Sequence, residues 1–234
     1  MNEPPNLGSP DHVALLAHEL QSPLTALRVK LSQALGQSGN QLSDRQALGE
    51  CLAEVRRLER IVADVLLLSR AAAGHLGGEI ERFDLVKPLS AVISTFESRA
   101  IQNRIELVLE LPSEELPVRA DERQMTRVLS NLLDNSLKFT PAGGRVIVHA
   151  RKERALASVR IADSGIGIPA EALPRLFDPF FQVGRKEGGN RTGAGLGLSI
   201  VRALAERNRA EIQVESQEGR GSTFSLTLPL DKGT

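Results

Sequence analysis

Residues 131–140, Asn131-Leu-Leu-Asp-Asn135-Ser-Leu-Lys138-Phe139-Thr140, set two asparagines four positions apart, with a lysine three further on. On a helix that spacing brings both amides to one face and the ammonium one turn beyond. Two neutral carbonyl donors and one ammonium suit the magnesium salt of a triphosphate. The hard metal takes oxygen, the phosphates balance much of its charge, and lysine acts as a point charge. A helix whose polar face merely holds amides accounts for the same ten residues, so the stretch has to be read with its surroundings.

Outward from this helix the pattern alternates. Asp121 is placed to cap its start. Before it, Leu85–Ala100 reads as a helix, and Ile105–Leu111 and Val118–Ala120 as strands. After it, Val146–Ala150 and Ser158–Ala162 form a hairpin pair, Leu196–Glu206 a helix, and Glu211–Ser216 and Ser222–Leu228 closing strands. Strands interleaved with helices, several in hairpin order, predict a two-layer α/β sandwich with a mixed sheet.

The composition is that of an ordinary globular chain, with 41% apolar and 25% charged residues in 234, which excludes a wholly disordered protein. Basic and acidic residues balance at 29 each, so there is no basic footprint for nucleic acid and no net attraction to an acidic membrane surface. The single cysteine, Cys51, excludes an intramolecular disulfide framework and a cysteine-built metal site. The longest unbroken apolar run is Val13–Ala17, far short of the ~20 residues that span a bilayer, and the opening residues lack the basic-then-apolar pattern expected of a signal peptide. These features predict a soluble chain in a reducing compartment.

The first seventy residues keep a different period. After a proline-rich opening (residues 1–10), Ser9-Pro10 reads as a helix start. Val13, Leu16, Leu20, Leu24, Leu27, Leu31 and Leu35 then recur at intervals of three and four, as in a coiled-coil seam, until Gly36–Asn40 breaks it. A second helix is expected from Ser43, with Gln46 completing a capping box. Its seam runs through Leu48, Leu52, Val55, Leu58 or Glu59, Val62, Leu66 and Ser69. Two such helices joined by a short loop cannot bury both stripes alone. A homodimer forming a four-helix bundle would cover them, and so would packing onto the chain's own next domain. Ala71–Gly78, with three glycines, is read as a linker.

His18 stands on the wrong face for a core residue. At 100° per residue it lies about 200° from both Leu16 and Leu20, so it points to solvent. Glu19 follows it, Ser22 lies one turn on, and Pro23 removes a backbone hydrogen bond and should bend the helix there. A carboxylate beside an exposed imidazole can hold the proton on one ring nitrogen and leave the other free for nucleophilic attack. A merely solvated histidine beside a glutamate fits the same residues. His12, His75 and His149 have no comparable setting.

Two glycine motifs complete the set. Asp163-Ser-Gly165-Ile-Gly167-Ile-Pro169 follows an expected strand. Its carboxylate suits an exocyclic amine such as that of adenine, and its glycines permit close approach of a base, although a plain turn has the same composition. Gly193-Ala-Gly195-Leu-Gly197-Leu-Ser199 opens a helix whose free N–H groups favour phosphate. Between them Phe177-Asp-Pro-Phe-Phe181 precedes six glycines from Gly184 to Gly197 and the basic residues Arg185, Lys186 and Arg191, which suggests a mobile lid.

His18-Glu19-Leu20-Gln21-Ser22-Pro23-Leu24 resembles the phosphoacceptor motif of bacterial sensor histidine kinases. The later motifs resemble, in order, the asparagine box, first glycine box, phenylalanine box and second glycine box of the catalytic domain of those kinases. The resemblance spans roughly residues 12–230 and implies the Bergerat-type ATP fold. It divides the chain into a linker at 1–10, a dimerisation and phosphotransfer hairpin at 11–73, a linker at 74–82 and an ATP-binding domain at 83–232. It implies ATP and Mg²⁺ as ligands, with Mg²⁺ on Asn135 and adenine on Asp163. Asn131, Lys138, Gly165, Gly167, Phe181, Gly193, Gly195 and Gly197 complete the nucleotide site. His18 would be the phosphoacceptor, Glu19 the base or orienting group, and Ser22 the residue that positions water in a phosphatase reaction. The partners implied are a second copy of the chain and a response regulator, whose docking face would include Ser22, Thr25, Ala26 and Val29. The setting implied is a cytoplasmic fragment of a membrane-anchored sensor with no membrane contact of its own.

Two alternatives remain at this stage. One is a regulator-binding, phosphatase-dominant module. The other is a hydrolytic ATPase of the same superfamily, although Asn131 stands where those relatives carry a water-activating glutamate. Gln21, Ser22, Val183 and Asn208-Arg209 depart from the residues most common at those places in the kinase family.

Overall fold

The structure, a computed structural model, describes residues 10–36, 41–183 and 194–233. Gly193, Arg185, Lys186 and Arg191, and with them the expected lid, lie outside the described residues, as do the side chains of Leu35 and Ser43. Two long helices open the chain, α1 (Pro10–Gly36) and α2 (Gln41–Ala72). Helix α1 runs unbroken through Pro23, which is buried. Helix α2 begins two residues before Ser43, so Ser43 sits in its first turn and the expected capping box does not mark the start. Lys30 Nζ reaches Glu50 at 3.3 Å and Glu54 at 3.7 Å, which sets the antiparallel register. Equal rise along both helices then brings His18 level with about residue 64 of α2.

The α/β half begins with β1 (Glu81–Asp84), which pairs antiparallel with β3 (Pro117–Ala120) in a two-stranded sheet. This strand was not expected, because four residues carry too little alternation to stand out. Its pairing is stapled by Asp84 Oδ1, which accepts the N–H groups of Leu116 (2.9 Å) and Val86 (3.1 Å). The main sheet orders β2 (Glu106–Glu110), β4 (Arg145–Glu153), β5 (Leu156–Asp163), β7 (Gly221–Pro229) and β6 (Glu211–Gln217) side by side. Only β2–β4 is parallel, because a helix intervenes between them; the other pairs are antiparallel, so the sheet is mixed as expected.

Three helices cover one face of that sheet: α3 (Val86–Gln102), α4 (Glu122–Phe139) and α5 (Gly197–Arg207). Helix α4 forms where it does because Asp121 accepts the Gln124 N–H at its start. Met125, Val128, Leu129, Leu132, Leu133 and Leu137 recur along it at three- and four-residue spacing and are all buried. Opposite them, Val146, Val148 and Ala150 of β4 alternate with less buried residues. Each such leucine contributes about 1.5–3 kcal/mol on leaving water.

The hairpin leans on this domain. Leu68 of α2 is fully buried in the domain core, and Leu15 and Leu16 of α1 pack against it. Asp64 of α2 pairs with Arg127 of α4, and the His12 ring lies 5.8 Å from that of Phe180. No helix among the described residues is long and apolar enough to cross a membrane.

Candidate active site

A cavity of about 830 Å³ lies between the polar face of α4, the turn after β5, the start of α5 and one face of α2. Helical periodicity makes this possible: the leucines of α4 point to the sheet, so Asn131, Asn135 and Lys138 share the opposite side and all three line the cavity. Asp134 lines it too, but its carboxylate is held by Arg99 of α3. Asn131 donates its amide N–H to the carbonyl of Gly197 at 3.3 Å, tying α4 to the first residue of α5.

Asp163, the last residue of β5, faces the same space. Its Oδ1 accepts the N–H groups of Gly165 (2.9 Å) and Ser222 (3.2 Å). Burial pushes this carboxyl above the ordinary aspartate value, against the downward pull of those two N–H groups. Gly165 therefore contributes through its backbone and does not line the cavity. Gly167 does line it, at φ +67°, where a Cβ would fall 2.0 Å from the Gln217 carbonyl oxygen; no other residue fits that turn.

Gly195, Gly197 and Phe181 close the far side. The Arg175 guanidinium caps the Phe181 ring at 4.9 Å. Helix α5 starts without a side-chain cap, so among the described residues no capping side chain competes for its first N–H groups. Burial pushes the Lys138 ammonium below the ordinary lysine value. Asp134 pulls it back up, and Arg99 and Arg57 push it further down. The cavity offers the amides of Asn131 and Asn135, the Asp163 carboxylate and backbone N–H groups, and among the described residues no cluster of three or more His, Cys, Asp or Glu side chains is placed to hold a metal alone. Asn135 fits a magnesium ion whose remaining oxygens come from phosphate.

The structure does not bring the three helical candidates into this cavity. His18 and Ser22 are exposed on α1, as expected, and Glu19 beside them is not: it is 2% exposed, and its Oε2 has no hydrogen-bond partner among the described residues. Of the expected docking face, Thr25 and Val29 are exposed and Ala26 half-buried. The sequence reading also missed a wall of the cavity, formed by Arg57, Arg60, Ile61, Ala63 and Asp64 of α2. The signal available for it was a stripe at 57, 60, 61 and 64.

Comparison with known proteins matches both halves. Residues 11–74 match the family described as "His Kinase A (phospho-acceptor) domain", and residues 120–232 match "Histidine kinase-, DNA gyrase B-, and HSP90-like ATPase". The chain belongs to the sensor histidine kinase family.

Among its relatives, sensor histidine kinase WalK of Bacillus subtilis is 33% identical over 223 residues, which is 94% of this chain and 36% of WalK. Sensor histidine kinase CusS of Escherichia coli is 33% identical over 92% of this chain and 44% of CusS. This kinase core thus spans between about a third and a half of the curated relatives it matches. Among solved structures, histidine kinase AdeS of Acinetobacter baumannii superposes with a TM-score of 0.74 at 28% identity, covering 92% of this chain and 98% of that one. Full-length ShkA, solved with AMPPNP, gives 0.71 at 25% identity over 97% of this chain and 47% of that one.

The kinase core also explains one departure from the family pattern. Asn208 is 3% exposed and accepts the Asp121 N–H on Oδ1 at 2.7 Å, while its amide nitrogen donates to Gln124 Oε1 and the Leu204 carbonyl, both at 2.8 Å. It locks the end of α5 to the start of α4. Arg209 follows at φ +55°, the left-handed conformation that a glycine would adopt freely.

Proposed function

We propose that this core is an ATP-dependent protein-histidine kinase that phosphorylates its own His18 and passes the phosphoryl group to an aspartate of a response regulator. The observation that carries this reading is the gathering of Asn135, Lys138, Asp163 and the uncapped start of α5 in one cavity, on a chain whose outward histidine lies level with that cavity.

In this reading residues 11–73 are the dimerisation and phosphotransfer hairpin and residues 83–232 the ATP-binding domain. Asp163 accepts the adenine amine. Lys138 and the N–H groups of α5 hold the phosphates. Asn135, with Asn131 beside it, presents amide oxygen to Mg²⁺, which when bound neutralises phosphate charge. The neutral His18 ring attacks the γ-phosphorus in line. An N–P bond forms, the bond to the β–γ bridging oxygen breaks, and ADP leaves with that electron pair. The proton shed by the phosphorylated ring goes to the adjacent Glu19, whose Oε2 accepts no hydrogen bond among the described residues. Asn131, where hydrolytic relatives carry a water-activating glutamate, has no basic side chain, and Asp134 is paired with Arg99.

The exposed apolar residues of α2, Leu48, Leu52, Val62 and Leu66, support a homodimer, each lying on the stripe the heptads predict. The exposed hydroxyl of Ser22, one turn past His18, supports a second activity, dephosphorylation of the regulator. We assign the core to the cytoplasm, where ATP and a reduced Cys51 are compatible, as part of a membrane-anchored sensor like many of its family. Incubation with labelled ATP tests the reaction. The expected label is acid-labile, base-stable and lost in His18→Gln; label that survives that substitution rejects the assignment.

A further inference from the structure

Helix α2 presents two opposite faces. Taking Arg57 as origin and about 100° per residue, Arg60, Ile61 and Asp64 cluster within about 60° of it. The exposed stripe of Leu48, Leu52, Val55, Val62 and Leu66 centres about 180° away. The face left for a partner is therefore not the face on the cavity, and both can be occupied at once.

The cavity face is cationic. Arg57 and Arg60 line the cavity that Asn135 and Lys138 line from α4. Asp64 is the acid between them, and it is paired with Arg127; Asp134 opposite is paired with Arg99. Among the described residues Arg57 touches an acid only at the edge of ion-pair range, Glu54 at 3.9 Å, and that carboxylate also serves Lys30. Arg60 makes no ion pair within that range among the described residues, and its charge is felt by Asp64, which is already paired with Arg127. After these pairings the space between α2 and α4 keeps an excess of positive charge. Burial is the main cause that lowers the Lys138 ammonium, and Arg57 adds a smaller repulsion from across the space that a bound anion relieves. Guanidinium groups suit phosphate oxygens because their donors form a planar fork.

We propose that Arg57 and Arg60 are ligands for the phosphate tail of the nucleotide bound by the same chain, so that the phosphotransfer hairpin itself senses how many phosphates the catalytic domain holds. This rests on the ATP-binding reading above. Occupancy by ATP then draws α2 onto the cavity through two charged contacts, and loss of the γ-phosphate weakens that hold.

Calorimetric titration of ATP, ADP and adenosine into the whole chain tests this, in a His18→Gln background that prevents turnover. Arg57→Ala/Arg60→Ala is expected to weaken ATP at least tenfold, ADP less, and adenosine not at all. Arg56→Ala, on the same helix but outside the cavity wall, leaves all three unchanged. Arg57→Lys/Arg60→Lys keeps the charge and recovers part of the loss, which guards against simple misfolding of the alanine variant. Unchanged ATP affinity in the double alanine variant, or an equal loss for ATP and adenosine, overturns the proposal. If the parent chain itself binds no ATP, or Asp163→Asn leaves ATP binding intact, the nucleotide reading fails as well, a result distinct from failure of the arginines alone.

Discussion

Helices α4 and α2 have similar apolar spacing and opposite fates. On α4 every leucine of the stripe is buried within its own chain, against the sheet. Among the described side chains of α2 only Cys51, Ile61 and Leu68 are buried, while Leu48 stays 60% and Leu66 52% exposed. A sheet is wide enough to cover a helix face, whereas a lone antiparallel neighbour covers a narrower stripe. The α/β domain therefore closes its own core, and the hairpin keeps apolar surface exposed.

Substitutions sharpen this contrast. Leu129→Ala on α4 should cost about 3 kcal/mol of unfolding free energy, read by denaturant titration, because the cavity left behind cannot be refilled from a close-packed interior. Leu66→Ala on α2 should change that same transition by less than about 0.5 kcal/mol while shifting sedimentation from dimer toward monomer. Equal costs at the two sites would break the comparison.

Asp163→Asn separates function from stability within the α/β domain. Nucleotide affinity should fall by tens-fold, about 2 kcal/mol, with loss of a charged acceptor. Because burial raises the folded carboxyl above its unfolded value, folding takes up a proton between the two values. The ionised carboxylate thus costs the ligand-free protein stability above that window, and the cost disappears as pH falls through it. Asp163→Asn should accordingly melt no lower than the parent at neutral pH. Nucleotide binding by the parent runs the other way, weakening on acidification and starting at a higher pH than an ordinary aspartate would allow. A binding profile flat down to the normal aspartate range would contradict this.

The seam between α4 and α5 gives two smaller effects of opposite sign. Asn208→Ala leaves the Asp121 N–H without its acceptor and should cost about 1–3 kcal/mol in chemical unfolding. Arg209→Gly relieves a left-handed backbone and should raise stability by up to about 1 kcal/mol, reduced by the greater freedom of glycine in the unfolded chain.

Much of this was legible locally. Spacing of three and four marked α1, α2 and α4, the Asp121 cap sits where its side chain implied, and Asn131, Asn135, Lys138 and Asp163 were identified one motif at a time. His18 was read as outward from its angle to Leu16 and Leu20 alone. These features depend on residues within one or two turns, and local sterics and hydrogen bonding set them. Periodicity says which side chains share a face, but not what that face meets. The burial of Glu19, the pairing of Asp64 with Arg127 across 63 positions and of Asp121 with Asn208 across 87, and the arginines of α2 in the cavity wall arise from docking between distant segments. Such contacts depend on how whole elements pack, and that packing is chosen by the summed burial of the chain, which no short window of residues contains.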